Sequence, residues 1–143
     1  MQVAKILRAV DTFLLVGDEL IRPGLPQHKM RYVGPIGPYG EDVVDPAKAS
    51  AAMFVRFESI PDKEQLLVGE RGTADWTEIL EIQKRARDVV ARRVVNQWTG
   101  PNCEHIGSYI RHGEPDSPQL KFWGGAAAVA LIILGFKSFG GAR

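Results

Sequence analysis

The sequence is poor in the residues that crosslink a fold or gather metals: its 143 residues contain one cysteine and three histidines. One cysteine excludes an internal disulfide and a cysteine-rich zinc site. It makes the cytosol, or the cytosolic face of a membrane, the expected compartment, and no cofactor is expected. Charge of one sign is also lacking, with a formal net charge of +1. No run of Lys and Arg forms a binding stripe, so nucleic acid is not an expected partner. The cluster Lys84, Arg85, Arg87, Arg92 and Arg93 is interleaved with Glu78, Glu81 and Asp88. It reads as a solvated, salt-bridged helix face, with an anionic lipid or phosphate contact as the alternative. Lys5, Arg8 and Asp11 break the N-terminal apolar residues, so no secretory signal is expected. Internal repeats and low-complexity stretches are absent.

Long hydrophobic runs are scarce as well. The one that stands out is Phe122 to Phe136, fifteen residues without a charge. A bilayer span takes about 20 apolar residues. Lys121 and Lys137 at its ends can snorkel, and Trp123 suits a membrane interface. The run is expected to be an apolar C-terminal helix that associates with a membrane. A buried helix, or packing on a partner, is the alternative.

What is present suits one globular domain: 45% of residues are apolar and 24% charged. Val3, Ile6, Leu7, Val10, Phe13 and Leu14 have helical spacing, so Met1 to Val16 is expected as a helix, although Phe13 to Val16 also suits the start of a strand. Short strands are expected at Glu19–Arg22, His28–Val33, Asp42–Asp45 and Met53–Phe57, with a Gly/Pro loop over Gly34–Gly40. The first three suggest an antiparallel meander. Thr77 to Arg93 is the clearest helix, capped by Asp75 or Thr77. A second helix is expected from Cys103 to Arg111, with Asn102 as its N-cap and Gly113 near its end. Strands followed by helices make an α+β fold, a small antiparallel sheet packed against helices. The domain is placed at 1–118 and the apolar tail at 119–143, with the boundary near Asp116 to Gln119.

Cys103 is the residue with the most chemistry. A thiol attacks as thiolate, and a helix N-terminus favours that form. The first-turn N–H groups can also hold the oxyanion of an attacked carbonyl. Read on the local sequence alone, an inert buried cysteine that packs as a small apolar side chain is favoured. A thiolate also needs a base. His105, two residues on, projects about 200° away on a helix, and His112 lies beyond the expected helix. His28 is the best candidate, at the start of a strand that can pack beside the Cys103 helix. A surface histidine is its alternative reading.

The run Asn102-Cys103-Glu104-His105-Ile106 resembles the Asn-Cys-Glu-His-Phe signature of the lecithin:retinol acyltransferase-like family. Ile110-Arg111-His112-Gly113 resembles the end of that motif, Gly17-Asp18-Glu19-Leu20-Ile21 the opening strand, and His28-Lys29-Met30-Arg31-Tyr32-Val33-Gly34 the histidine box. The likeness runs from about Gly17 to Phe139, and the tail resembles the membrane anchor of the small phospholipid-acting members. It implies a permuted papain-like fold, with Cys103 as nucleophile and His28 as base. The family's third residue is usually a histidine following two apolar residues; here Val43-Val44 are followed by Asp45. Asp45 suits the orienting role that a carboxylate plays in other triads, and a solvated strand-end aspartate is the alternative.

The resemblance implies a thiol acyltransferase or phospholipase that acts on lipid acyl esters through a cysteine acyl-thioester. A membrane lipid or acyl-ester substrate is then the expected partner, and Tyr32 and Tyr109 are candidates to line its site, each with core packing as the alternative. Two other readings remain open. One is a non-enzymatic viral protein of the same histidine-box type, with a replication or host-interaction role. The other is a peptide or cell-wall amide hydrolase.

Overall fold

In the computed structural model, which describes residues 7–24, 27–46, 51–94 and 103–113, six strands form one antiparallel sheet. The strands are β1 (Leu7–Arg8), β2 (Glu19–Arg22), β3 (His28–Tyr32), β4 (Val43–Asp45), β5 (Met53–Val55) and β6 (Leu67–Val68). Their spatial order is β1-β6-β2-β3-β4-β5. The two α-helices among the described residues are α1 (Trp76–Ala91) and α2 (Cys103–His112), which pack against each other. α2 also packs on β3. The α+β class and the β2–β3–β4 meander are therefore as the sequence suggests.

Side chains alternate between the two faces of a strand, and both faces of this sheet are covered. Val33 and Val44 look toward the helices and bury Ile82, Ala86, Ile106 and Ile110. Leu20, Met30 and Val43 look the other way, under Ile60 and Leu66 from the 3-10 turns that follow β5. Each fully buried Leu, Ile, Val or Met contributes about 1.5–3 kcal/mol of transfer free energy. α1 begins at Asp75, whose carboxylate accepts from Glu78 N–H at 3.0 Å. α2 ends where Gly113 N–H returns to Tyr109 C=O at 2.8 Å.

The expected helix over Met1 to Val16 is corrected. Leu7 and Arg8 pair with Val68 and Leu67, and Ala9–Asp11 is one 3-10 turn. Ala9 N–H bonds Leu66 C=O at 2.8 Å, so a partner nearly sixty residues away takes the backbone from local helix bonding. Residues 1–6 lie outside the described residues, as do Asn102, the boundary near Asp116 to Gln119 and the apolar run 122–136. Among the described residues, no helix is long and apolar enough to cross a membrane.

The start of the meander is tied to the segment after β6 by Asp18, which is fully buried. Its carboxylate accepts from Leu15 N–H (2.8 Å), Gly72 N–H (2.6 Å), Arg71 Nε (2.9 Å) and Arg71 Nη2 (3.2 Å). Gly72 is required there by closeness: a Cβ on it would stand 2.0 Å from the Val16 carbonyl oxygen. Removing one partner of a buried ion pair costs about 3–5 kcal/mol. Asp18→Ala is expected to lose that much in urea unfolding, and Arg71→Ala less, because two backbone donors remain on the carboxylate. A loss below about 1 kcal/mol for Asp18→Ala would contradict this account.

Candidate functional site

His28 opens β3 and Asp45 closes β4, so both stand at the same end of the sheet. In the β3–β4 register Arg31 faces Val44 and Tyr32 faces Val43, which continues to place Met30 opposite Asp45. His28, two residues from Met30, then shares a face with Asp45. Their side chains meet, with His28 Nε2 at 2.7 Å from Asp45 Oδ1. Both are about four-fifths buried, at 22% and 23% side-chain exposure. A carboxylate acceptor requires Nε2 to carry the proton in the neutral ring, which leaves the lone pair on Nδ1. The pair thus presents a fixed basic nitrogen.

A second ion pair flanks this one. Arg22 is directly opposite His28 across β2 and β3. Its guanidinium grips Asp62 with two bonds, Nε to Oδ2 at 2.6 Å and Nη2 to Oδ1 at 3.0 Å. The hydrogen bond from Arg22 is the main cause that holds the Asp62 carboxyl below its ordinary range, and His28 adds to the same effect. Arg22 is legible from the hairpin register once the turn is placed. Asp62 is not, since it arrives from the far end of a loop forty residues on.

Cys103 is the first residue of α2. The course of α2 is fixed by its contacts with β3. Gly107 leaves room for Arg31, whose Nε would stand 2.9 Å from a Cβ there. One turn later the Arg111 side chain lies against Gly17, whose N–H bonds Tyr32 C=O at 2.7 Å. Successive turns of α2 therefore follow β3 from Arg31 toward its C-terminal end, and the head of α2 lies toward the His28 end. Arg31, buried between strand and helix, is neutralised by Glu70 at 2.8 Å and Glu19 at 3.6 Å. The alternation of β3 places Arg31 on the helix side, and His28 with Met30 and Tyr32 on the other.

The two tyrosines expected to line one site are not brought together. Tyr32 packs on the cluster of Leu20, Met30 and Val43, and Tyr109 on the helix-side cluster. Burial raises both phenols above their ordinary range, helped at Tyr32 by Asp42 and Asp18 and at Tyr109 by Asp88. His105 is buried in α2, and His112 bonds Glu70 at 2.8 Å at the opposite end of the helix. A groove there is lined by Glu78, Glu81, Arg85, Arg111 and His112, a helix length of about 15 Å from Cys103. Among the described residues, no group of three or more His, Cys, Asp or Glu converges as metal ligands would.

Two carboxyls make stability depend on acid. Burial pushes Glu70 up, but the hydrogen bonds from Arg31 and His112 outweigh it and hold Glu70 below its ordinary range. Asp62 is lowered by Arg22, so its folded value lies below the unfolded one. Its contribution is complete above the unfolded pKa of about 4 and is lost as pH falls through the lower folded value. The Tm gap between the natural chain and Asp62→Asn is expected to hold from pH 7 to about 5 and to close on further acidification. A gap that stays constant into strong acid would contradict the assignment. Comparison with protein families, with characterised proteins and with solved structures brings no match for this chain, so any family reading rests on the motifs and the geometry above.

Proposed function

We propose that this chain is a thiol enzyme of the lecithin:retinol acyltransferase-like kind, acting on lipid acyl esters with Cys103 as nucleophile, His28 as base and Asp45 as the residue that orients His28. The observation that carries the reading is the 2.7 Å contact between His28 Nε2 and Asp45 Oδ1. A base oriented by a third group is what an activated nucleophile requires. The start of α2 at Cys103 and its course along β3 support the pairing, because they bring the head of the helix toward the His28 end of the strand. Since His28 shares its face with Met30, away from α2, this reading requires the thiol to reach the imidazole around the end of β3 rather than across the sheet.

In this mechanism His28 Nδ1 takes the thiol proton, and the sulfur attacks the ester carbonyl carbon. The C–S bond forms, and the negative charge on the carbonyl oxygen is held by first-turn N–H groups of α2. The ester C–O bond breaks, and His28 gives its proton to the departing oxygen. Water, an alcohol or an amine then attacks the thioester and loses its proton to His28, the C–S bond breaks, and His28 returns a proton to the departing sulfur to close the cycle. The apolar run 122–136 supports a lipid substrate, since it would hold the domain at a bilayer.

The alternation of β3 favours a second reading. In a non-catalytic relative, the His28–Asp45 pair would be only a brace for the end of the sheet, facing away from α2. Trapping separates the two. Incubation with a p-nitrophenyl ester of a short fatty acid, followed by intact-mass analysis, is expected to add one acyl group to the natural chain and none to Cys103→Ser. His28→Ala and Asp45→Asn are expected to slow acylation by about 10²–10⁴-fold. No adduct on a folded natural chain would leave the non-catalytic reading.

A further inference from the structure

The outer side of α1 carries exposed apolar groups that the core does not use. Trp76 is 70% exposed and Leu80 48% exposed. At 100° per residue, Trp76, Leu80, Lys84 and Arg87 fall within one narrow sector, opposite the buried Ile82, Ala86 and Val89. Phe13 belongs to the same region. An antiparallel bridge joins Val16 and Thr73, and Phe13 and Trp76 each lie three residues from it along the chain. Phe13 is 85% exposed, and its carbonyl is held by Arg71 Nη2 at 3.0 Å. The Asp75 cap fixes the turn that bears Trp76. These apolar groups are thus held in place by their own backbone contacts.

The unpaired charge beside them is cationic, and the acid of this stretch, Asp88, is half-buried beside Tyr109. Lys84 and Arg87 are exposed, and among the described residues neither is in an ion pair. Of the three acidic residues of the helix, Asp88 is the one beside Tyr109, while Glu78 and Glu81 line the groove with Arg85 and Arg111, where Glu81 pairs with Arg85 at 3.8 Å. Asp75 is committed to its cap. The result is an aromatic and aliphatic end followed, two turns on, by two long cationic side chains.

We infer that this face of α1, with Phe13 beside it, docks on an anionic lipid surface. Tryptophan suits the headgroup level, phenylalanine and leucine suit the acyl boundary, and lysine and arginine stems lie along the surface while their charges meet anionic headgroups. Charge complementarity selects an anionic surface over a neutral one. The run 122–136 adds to this, because fifteen uncharged residues fall short of the roughly 20 needed to span, and firm anchoring takes two signals. The docking face stands whether or not Cys103 is a nucleophile.

The test uses the full chain with Trp98→Phe and Trp123→Phe, which leaves Trp76 as the fluorophore. With vesicles containing phosphatidylglycerol, Trp76 emission is expected to shift to the blue and to be quenched by acyl-chain-brominated lipid. Lys84→Glu with Arg87→Glu is expected to weaken that binding several-fold, as is replacement of the anionic lipid by phosphatidylcholine. Three outcomes overturn the inference. The chain co-sediments while Trp76 emission is unmoved, or it does not bind vesicles at all, or binding ignores both charge changes. A blue shift that grows with protein concentration in the absence of vesicles would instead seat a second copy of the chain on this face and also overturn it.

Discussion

A carboxylate taken out of water has to be matched by donors, and Asp18 is matched by four of them. The donors come from three places: the loop before β2, the Arg71 side chain and the backbone of Gly72. One buried charge therefore fixes where β2 begins and where the chain enters α1. The backbone of Asp18 extends the tie, since its carbonyl accepts from Tyr32 N–H at 2.9 Å at the far end of β3. The register of the β2–β3 hairpin follows, and that register puts Arg22 opposite His28. The His28 end of the sheet and the Asp18 knot are at opposite ends of the same two strands. The stabilising interaction is thereby kept away from the residues of the proposed site.

The site end is built from groups that lock one another. Asp45 holds one nitrogen of His28, and Asp62 holds Arg22 beside it. Asp45, His28 and Arg22 occupy the ends of adjacent strands, and Asp62 reaches Arg22 from the loop after β5. Asp45 stands where the resemblance leads one to expect a histidine. As an acceptor for Nε2–H it fixes the orientation of the imidazole; in the proposed mechanism it would also offset the imidazolium.

Much of this was legible in the residues. Glu19–Arg22, His28–Tyr32 and Val43–Asp45 are bounded by Gly, Pro or Asp turn signals, Met53–Val55 shows its apolar and β-branched residues, and their pairing is between sequence neighbours. Asp75 and the apolar spacing mark α1 to within two residues at each end. The N-terminal segment was misread because its spacing is helical while its hydrogen-bond partners are Leu66 to Val68, a long-range pairing with no local trace. β6 went unseen for the same reason, being two residues long. Tyr32 and Tyr109 were candidates for one site, yet strand alternation and helix packing send them to different clusters. Asp62 has no sequence signal at all, since only the folded loop brings it to Arg22.

The most direct test of the His28–Cys103 relationship is the pH dependence of alkylation at Cys103, the only thiol in the chain. With iodoacetamide between pH 5 and 9, the rate in the natural chain is predicted to reach its plateau well below the free-thiol pKa of about 8.5. In His28→Ala the same curve is predicted to move toward that of a free thiol. Curves for both proteins that follow a free thiol would contradict the account.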